Sequence, residues 1–404
     1  MYPATGVQPR PPDALRQTMG WRAGKKLPDH GFQGEGILAL AAQGEPVRVW
    51  YAPEPANEVA SIRAEARRDR LFVSADAPVT ELAVDDTLED ALAALGERLG
   101  PANVRSVPPG WCSWSCYFGG VTERGVLENM RAAEQLGLPI GIVQVDDGYE
   151  AGIGDWLTDD SRFGSLRRTA ESIRAAGKVP GVWTAPFLVG EQSMLAKTRP
   201  DWLVPSADAG WNWDQRLRVL DVSNPAAAAH LRGTYETLAA RGFGHHKLDF
   251  LYAGALAGPR HAGLSALAAY REGLRIVREG AGADAILLAC GAPLLPSIGL
   301  VDAMRIGPDV LPEPTGEPPV APEPDLENVI VRTRARAWTH ARLWAADPDC
   351  LVVRPEIRDR ERWASHVEAL GGLAFSSDRL GGLDERGLEL TRRALKPSSR
   401  VPLV

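Results

Sequence analysis

Residues 245–252 read HHKLDFLY, an apolar, strand-like run in which Lys247 and Asp249 lie two apart. Alternation along a strand puts both side chains on one face, so an ammonium and a carboxylate converge at its end. Other apolar runs also close on acids: Asp146 and Asp147 in QVDDGY, and Asp309 in RIGPDV. Inward carboxylates without metal ligands beside them suit acid/base or nucleophilic work on a polar, neutral substrate. Metal chemistry is not indicated. The four cysteines, Cys112, Cys116, Cys290 and Cys350, are scattered, and no CxxC or HxH pair completes a half-site. His245 and His246 are adjacent, so a strand points them to opposite faces. No cofactor and no metal are expected.

Seven tryptophans, at 111, 114, 156, 183, 202, 211 and 213, fall in or near the connecting segments. An exposed indole beside a carboxylate is a common way to hold a sugar ring, whose apolar face packs on the aromatic one. Each feature also has an ordinary explanation. An Asp that closes a strand often caps the next helix, a Lys near an Asp forms a simple ion pair, and most indoles fill cores. Their joint occurrence in one strand order is what points to a site.

That order comes from the elements around them. From about residue 107, apolar runs ending in PPGWCSW, IGIVQVDD, VPGVWTAPF, HHKLDF, ILLACG, VDAMRIG, CLVVRP and GGLAFSS alternate with helical patterns. In TERGVLENMRAAEQLGL, Val126, Leu127, Met130, Ala133 and Leu136 fall on one helical face. The segments SLRRTAESIRAAG, HAGLSALAAYREGLRIVREG and DERGLELTRRALK behave alike. Eight such strand–helix units predict an α/β fold, a (β/α)8 TIM barrel over residues 101–404. Barrels of this kind place their chemistry at the C-terminal ends of the strands, where these acids lie.

Residues 1–100 predict a small, shortened β-rich N-terminal domain. GILALAA, PVRVWYA and RLFVSA read as strands, and TLEDALAALGERLG as a connecting helix capped by Thr87 and stopped at Gly100. Seven prolines between Pro308 and Pro324 exclude a helix there. Following directly on a barrel strand, that stretch reads as a semi-rigid flap over the catalytic face or as a surface linker.

Composition narrows the partners. The net charge is −7 with no lysine- or arginine-rich tract, which argues against nucleic acid. There is no 18-residue apolar stretch and no signal-peptide pattern, so a cytoplasmic protein with no membrane partner is expected.

Taken in order, GWCSW, QVDDGY, GVWTAPF, KLDF, CGAPLLPSIGLVDAMRIGPDV and ADPDCL resemble the barrel of the melibiase-like α-galactosidases of glycoside hydrolase family 36, over about residues 107–395. The resemblance implies a retaining hydrolase that releases terminal α-galactose from melibiose- or raffinose-like oligosaccharides. Asp249 matches the nucleophile and Asp309, four residues after Arg305, the acid/base. Retaining glycosidases hold two such carboxyls about 5–5.5 Å apart. By the same resemblance Asp146 and Asp147 accept from hydroxyls at O4 and O6, and Trp114 and Trp183 wall the sugar. Lys247 donates to a hydroxyl and keeps Asp249 ionised. Arg305 meets the O2 side with Cys290 beside it, and Asp349 lines the mouth.

The chain departs from the family pattern in its short N-terminal region, in essentially nothing following the eighth helix, and in the proline-rich continuation after Asp309. Oligomeric state and leaving-group preference are therefore left open, a homo-oligomer included. The alternatives are an α-N-acetylgalactosaminidase, which the small Cys290–Gly291 pair near O2 would admit, an α-galactosyl transferase, or a non-catalytic sugar-binding barrel. A phosphate- or PLP-binding barrel is disfavoured, because only isolated GG pairs follow the late strands.

Overall fold

The computed structural model describes residues 31–42, 44–67, 70–84, 87–101, 104–311 and 326–396. Eight short parallel strands follow one another around a curled sheet: Gly110–Cys112, Ile142–Val145, Val179–Thr184, His245–Leu248, Ile286–Ala289, Ala303–Arg305, Ala345–Asp347 and Phe375–Ser376. They are called the first to eighth barrel strands below. The eighth pairs with the first. It meets the seventh through Leu373 N–H to Ala346 O at 2.8 Å and a bridge from Leu351 to Ser376, which closes the barrel.

The strands are buried on both faces, which is why their sequences are apolar rather than alternating. Helices cover the outside, and local chemistry sets their limits. Thr122 caps Glu123–Gln135 by accepting from Gly125 N–H, and Val126, Met130 and Ala133 form its buried stripe, with Leu127 and Leu136 at its edge. Ser165, Asn224, Ser265 and Asp384 cap Leu166–Ala175, Pro225–Ala240, Ala266–Ala281 and Glu385–Ala394 in the same way.

Two features differ from the sequence expectation. The seventh strand is Ala345–Asp347, not the run CLVVRP. Residues 350–353 lie beyond its end: Leu351 makes only an isolated bridge to Ser376, while Val352 and Val353 fill a core with Trp363 and Leu390. The fifth connection carries a single 3-10 turn, Leu295–Ser297, where an α-helix was expected. Its segment is short, and Pro293 and Pro296 interrupt it.

Ahead of the barrel lie two three-stranded antiparallel sheets. One orders Gly31–Glu35, Ser61–Arg67 and Arg70–Ala75, the other Ile37–Leu40, Val47–Tyr51 and Thr80–Val84. The helix Leu88–Leu99, capped by Thr87 as expected, joins them to the barrel. Ile37, Val49, Leu92 and Leu95 belong to the same continuous core as the barrel residues. The proline-rich stretch 312–325 lies outside the described residues. Among the described residues no helix is long and apolar enough to cross a membrane.

Candidate active site

The acids picked out from the sequence sit at the C-terminal ends of the second, fourth and sixth strands. Asp249 follows the fourth strand directly. Its Oδ1 accepts from the Phe250 N–H at 2.7 Å and its Oδ2 from the Trp183 indole at 3.1 Å. Phe250 holds a left-handed backbone, φ +51°, an uncommon state for an aromatic residue that marks a locally strained turn. Gly291 makes room for that turn: a Cβ there would lie 3.3 Å from Phe250 N and 3.5 Å from Asp249 Oδ1. Around Asp249, Trp183 packs edge-on against Trp156, Trp213 and Phe250 at 5.7, 6.1 and 6.5 Å between centroids.

Lys247 divides its attention. Its Nζ lies 2.9 Å from Asp146 Oδ2 and 3.9 Å from Asp249 Oδ2, so the direct partner is Asp146 and Asp249 takes the outer position. Burial works against the Lys247 cation, but Asp146 and then Asp249 more than offset it and hold its pKa well above the usual value. Asp146 is 1% exposed. Its Oδ2 also accepts from Gln144 Nε2 at 2.6 Å and from the Cys112 thiol at 3.3 Å, and Ser113 Oγ takes its backbone N–H. Beneath it Gln144 Oε1 meets His245 Nε2 at 3.0 Å. Burial drives the His245 imidazole down to about 3, so it sits neutral in the barrel core.

Asp147, next in the chain, is treated differently. Trp213 donates its indole N–H to Asp147 Oδ2 at 2.8 Å. Trp213 reaches there because it forms, with Asp214, the two-residue turn of the hairpin Gly210–Val219. Both residues have positive φ, +48° and +53°, where such turns usually carry Asn-Gly. The other neighbour is Glu150, 8% exposed, which shares a carboxyl–carboxyl hydrogen bond with Asp147. Burial and then the Asp147 charge push the Glu150 carboxyl well above its usual value. Burial likewise raises Asp147, against the hydrogen bonds from Glu150 and Trp213.

At the sixth strand Arg305, 3% exposed, meets three carboxylates with three separate nitrogens. Nε lies 3.0 Å from Asp347 Oδ2, Nη1 2.8 Å from Asp309 Oδ1, and Nη2 2.6 Å from Asp349 Oδ1. Asp309 keeps 48% of its side chain open to solvent. The surrounding protein still raises its carboxyl; Arg305 and Lys247 oppose that, while Asp249 and Asp146 add to it.

Cys290 lies at the end of the fifth strand, 5% exposed, and burial lifts its thiol well above the usual value. Trp114 is half-buried and packs edge-on against Phe118 at 5.2 Å. Asp349 is 2% exposed; its Oδ2 accepts from Val310 N–H, and its Oδ1 stands in ion-pair contact with Arg305 Nη2 without hydrogen-bond geometry. Of the other tryptophans singled out, Trp111, Trp156 and Trp202 are buried and Trp211 is 48% exposed.

Sequence reasoning passed over three participants: Trp213 as a donor to Asp147, Glu150 and Asp347. Glu150 stood three residues beyond Asp147 in QVDDGYE, and Asp347 shares ADPDCL with Asp349. Trp213 left no such signal, since only the hairpin brings it back to the second strand. Among the described residues no group of His, Cys, Asp or Glu is arranged to hold a metal ion.

A family model for melibiase matches residues 113–245. An α-galactosidase of Pediococcus pentosaceus is 28% identical over 154 residues, 36% of this chain and 21% of that enzyme. A galactinol–sucrose galactosyltransferase of rice is 31% identical over 103 residues, 24% of this chain and 13% of the other. The matched segments thus span less than a quarter of those relatives. Among solved structures, the α-galactosidase of Thermus thermophilus in complex with p-nitrophenyl α-D-galactopyranoside superposes with a TM-score of 0.77 at 28% identity, over 96% of this chain and 81% of that one. The family 36 enzyme AgaA of Geobacillus stearothermophilus, at 14% identity and a TM-score of 0.65, shares the fold over 91% of this chain and 57% of its own. In sequence motifs and in fold alike, this chain is similar to the melibiase-like α-galactosidases of glycoside hydrolase family 36.

Proposed function

We propose that the protein is a retaining, exo-acting α-galactosidase that releases terminal α-linked galactose from oligosaccharides, with Asp249 as nucleophile and Asp309 as acid/base. The observation that carries this reading is the division of labour between the two carboxyls. Asp249 sits beside a buried ammonium and accepts two hydrogen bonds, whereas Asp309, half open to solvent and held by Arg305, has its carboxyl raised by the surrounding protein, with the Asp249 and Asp146 charges adding to it. That pairing of an anion with a raised acid is what double displacement needs.

In the first step an Asp249 oxygen bonds to the anomeric carbon from the face opposite the leaving group. The bond from that carbon to the glycosidic oxygen breaks as Asp309 delivers its proton to that oxygen. The covalent galactosyl ester removes the Asp249 charge, and with it one of the influences that raise Asp309. Asp309 then becomes a better-ionised base, takes a proton from water, and the hydroxide oxygen replaces Asp249 at the same carbon. Two inversions give net retention.

Around the reacting centre, Lys247, Asp146 and Asp147 form a buried charged edge suited to hydroxyls at O4 and O6. An axial O4 that pairs with a buried acceptor separates galactose from glucose, because leaving such a group unpaired costs about 1–3 kcal/mol. Trp183 and Trp114 offer ring surfaces, and Arg305 and Cys290 border the O2 side. The Thermus relative carries a p-nitrophenyl α-galactoside in one structure and stachyose in another, which supports the same substrate class here.

The test is turnover of 4-nitrophenyl α-galactoside beside the α-glucoside, β-galactoside and α-N-acetylgalactosaminide. Selective α-galactoside hydrolysis is expected, lost in Asp249→Ala and recovered with azide as the inverted glycosyl azide. Turnover of none of the four by a protein that still binds galactose would favour the non-catalytic barrel. A requirement for an added sugar acceptor would favour a transferase, as in the rice relative.

A further inference from the structure

We propose that Asp347 and Asp349 are positioning residues for the proton donor, fixing Asp309 through the Arg305 guanidinium and the Val310 backbone amide. This rests on Asp309 being the acid/base. Asp347 ends the seventh strand. Its backbone carbonyl accepts from Ile306 N–H at 2.9 Å, its Oδ2 takes Arg305 Nε at 3.0 Å, and its Oδ1 takes the Asp349 N–H at 2.9 Å. Asp349 comes two residues later across Pro348, with φ +95°, a backbone state that glycine adopts readily and an aspartate does not.

What holds it there is its carboxylate. Asp349 Oδ1 lies 2.6 Å from Arg305 Nη2, and Oδ2 takes the Val310 N–H at 2.6 Å. Val310 is the residue after Asp309, so Asp349 anchors the turn that bears the donor, while Arg305 Nη1 holds the donor's own Oδ1 at 2.8 Å. Glycine at 349 would relieve the backbone and lose both anchors.

The arrangement also answers a difficulty in the chemistry. A lone guanidinium against Asp309 would favour the carboxylate and so work against proton donation. Two further carboxylates, both buried, compensate the Arg305 charge from its remaining nitrogens. Arg305 can therefore orient Asp309 without stripping it of its proton. A purely structural cluster would need only to tie the loop after the sixth strand to the loop after the seventh, and would be indifferent to how well the leaving group departs on its own.

The experiment compares Asp349→Asn and Asp347→Asn with wild type and Asp309→Ala in the full chain. It measures kcat/KM on α-galactosides from 2,4-dinitrophenyl, which departs unaided, through phenyl to melibiose, together with the pH profile and Tm. Both Asn variants are expected to lose about tenfold to a hundredfold on melibiose, with a smaller loss on the dinitrophenyl substrate, as partial failure of acid catalysis predicts. Their basic limbs should move to lower pH, because an undercompensated Arg305 draws the proton from Asp309. Asp309→Ala should show the same dependence on leaving group in larger measure. Equal losses on every substrate, in step with lowered Tm and with an unmoved basic limb, would overturn the inference. If Asp349→Asn does not fold, Asp347→Asn, which leaves the Val310 anchor in place, decides the charge question alone. Absence of leaving-group dependence in Asp309→Ala would remove the proton-donor reading itself. Dependence there with none in the Asn variants removes only the positioning role.

Discussion

Asp249 and Asp309 close two strands of one barrel, yet their surroundings differ in kind. Asp249 lies against aromatic rings, with 17% of its side chain open and neutral N–H donors on both oxygens. Asp309 lies against a charged cluster, with 48% open and a guanidinium on one oxygen. A nucleophile must stay an anion in one place, and an apolar wall with a few donors fixes it without needing to exchange anything. A general acid must give up and regain a proton each cycle, so contact with solvent and a tunable charge environment suit it.

The sharpest break in that comparison comes from removing each carboxyl. Asp249→Ala is expected to lower turnover by about 10⁴-fold or more on every galactoside, since the proposed mechanism then has no covalent step. Asp309→Ala is expected to cost about 10²–10⁴-fold on sugar leaving groups and far less on activated aryl ones. Steady-state rates on 4-nitrophenyl α-galactoside and melibiose read both. Equal sensitivity of the two variants to leaving group would erase the distinction.

Lys247 sharpens the Asp249 side. It is buried between Asp146 and Asp249, so Lys247→Met leaves two carboxylates without their cation. Breaking a buried pair this way costs about 3–5 kcal/mol. Denaturant unfolding should show that loss, together with near-complete loss of activity. A variant with wild-type stability would mean that solvent, not Lys247, compensates these acids.

How much of this was legible beforehand depends on whether the signal was local. KLDF, QVDDGY and RIGPDV each placed an acid at a strand end, because an apolar run followed by a polar residue is visible within a few positions. The barrel itself followed from repetition. The seventh strand was misplaced because LVV carries more β-propensity than AAD; the position between neighbouring strands overrode propensity. Ser61–Arg67, with its charged alternation and alanines, gave little strand signal and is held by pairing on both sides. The Trp213 contact with Asp147 spans 66 residues, and the Arg305–Asp347 pair spans 42. Such contacts depend on how loops return across the barrel mouth, which no local pattern encodes.

Smaller effects test the aromatic wall. Trp183→Phe keeps the ring and removes the donor to Asp249. A hydrogen bond to a charged group contributes about 1.5–3 kcal/mol, or roughly ten- to a hundredfold in kcat/KM. Trp213→Phe removes the corresponding donor to Asp147 and should act mainly through KM if Asp147, as proposed, meets substrate hydroxyls and not the reacting carbon. A fall in kcat alone for Trp213→Phe would place it nearer the chemistry than its contacts indicate.

The smallest expected effect distinguishes Asp146 from Asp147, adjacent carboxyls that satisfy burial by different means. Asp146 has an ammonium beside it; Asp147 has Glu150, a neighbouring carboxyl that burial and the Asp147 charge push well above its usual value. Glu150→Gln supplies an amide N–H in place of that carboxyl, so activity near neutral pH should change by less than about threefold if one neutral donor replaces another. Stability against pH should change more. The folded Glu150 carboxyl lies well above its ordinary value of 4.5, so the native chain holds a proton that the unfolded chain releases. Its contribution is therefore full below pH 4.5 and declines as pH rises toward the folded value. Urea unfolding from pH 4.5 upward should show a shallower loss of stability in Glu150→Gln than in wild type. Identical slopes would mean that Glu150 ionises in the folded protein as it does in the unfolded one, and that Asp147 is held by Trp213 alone.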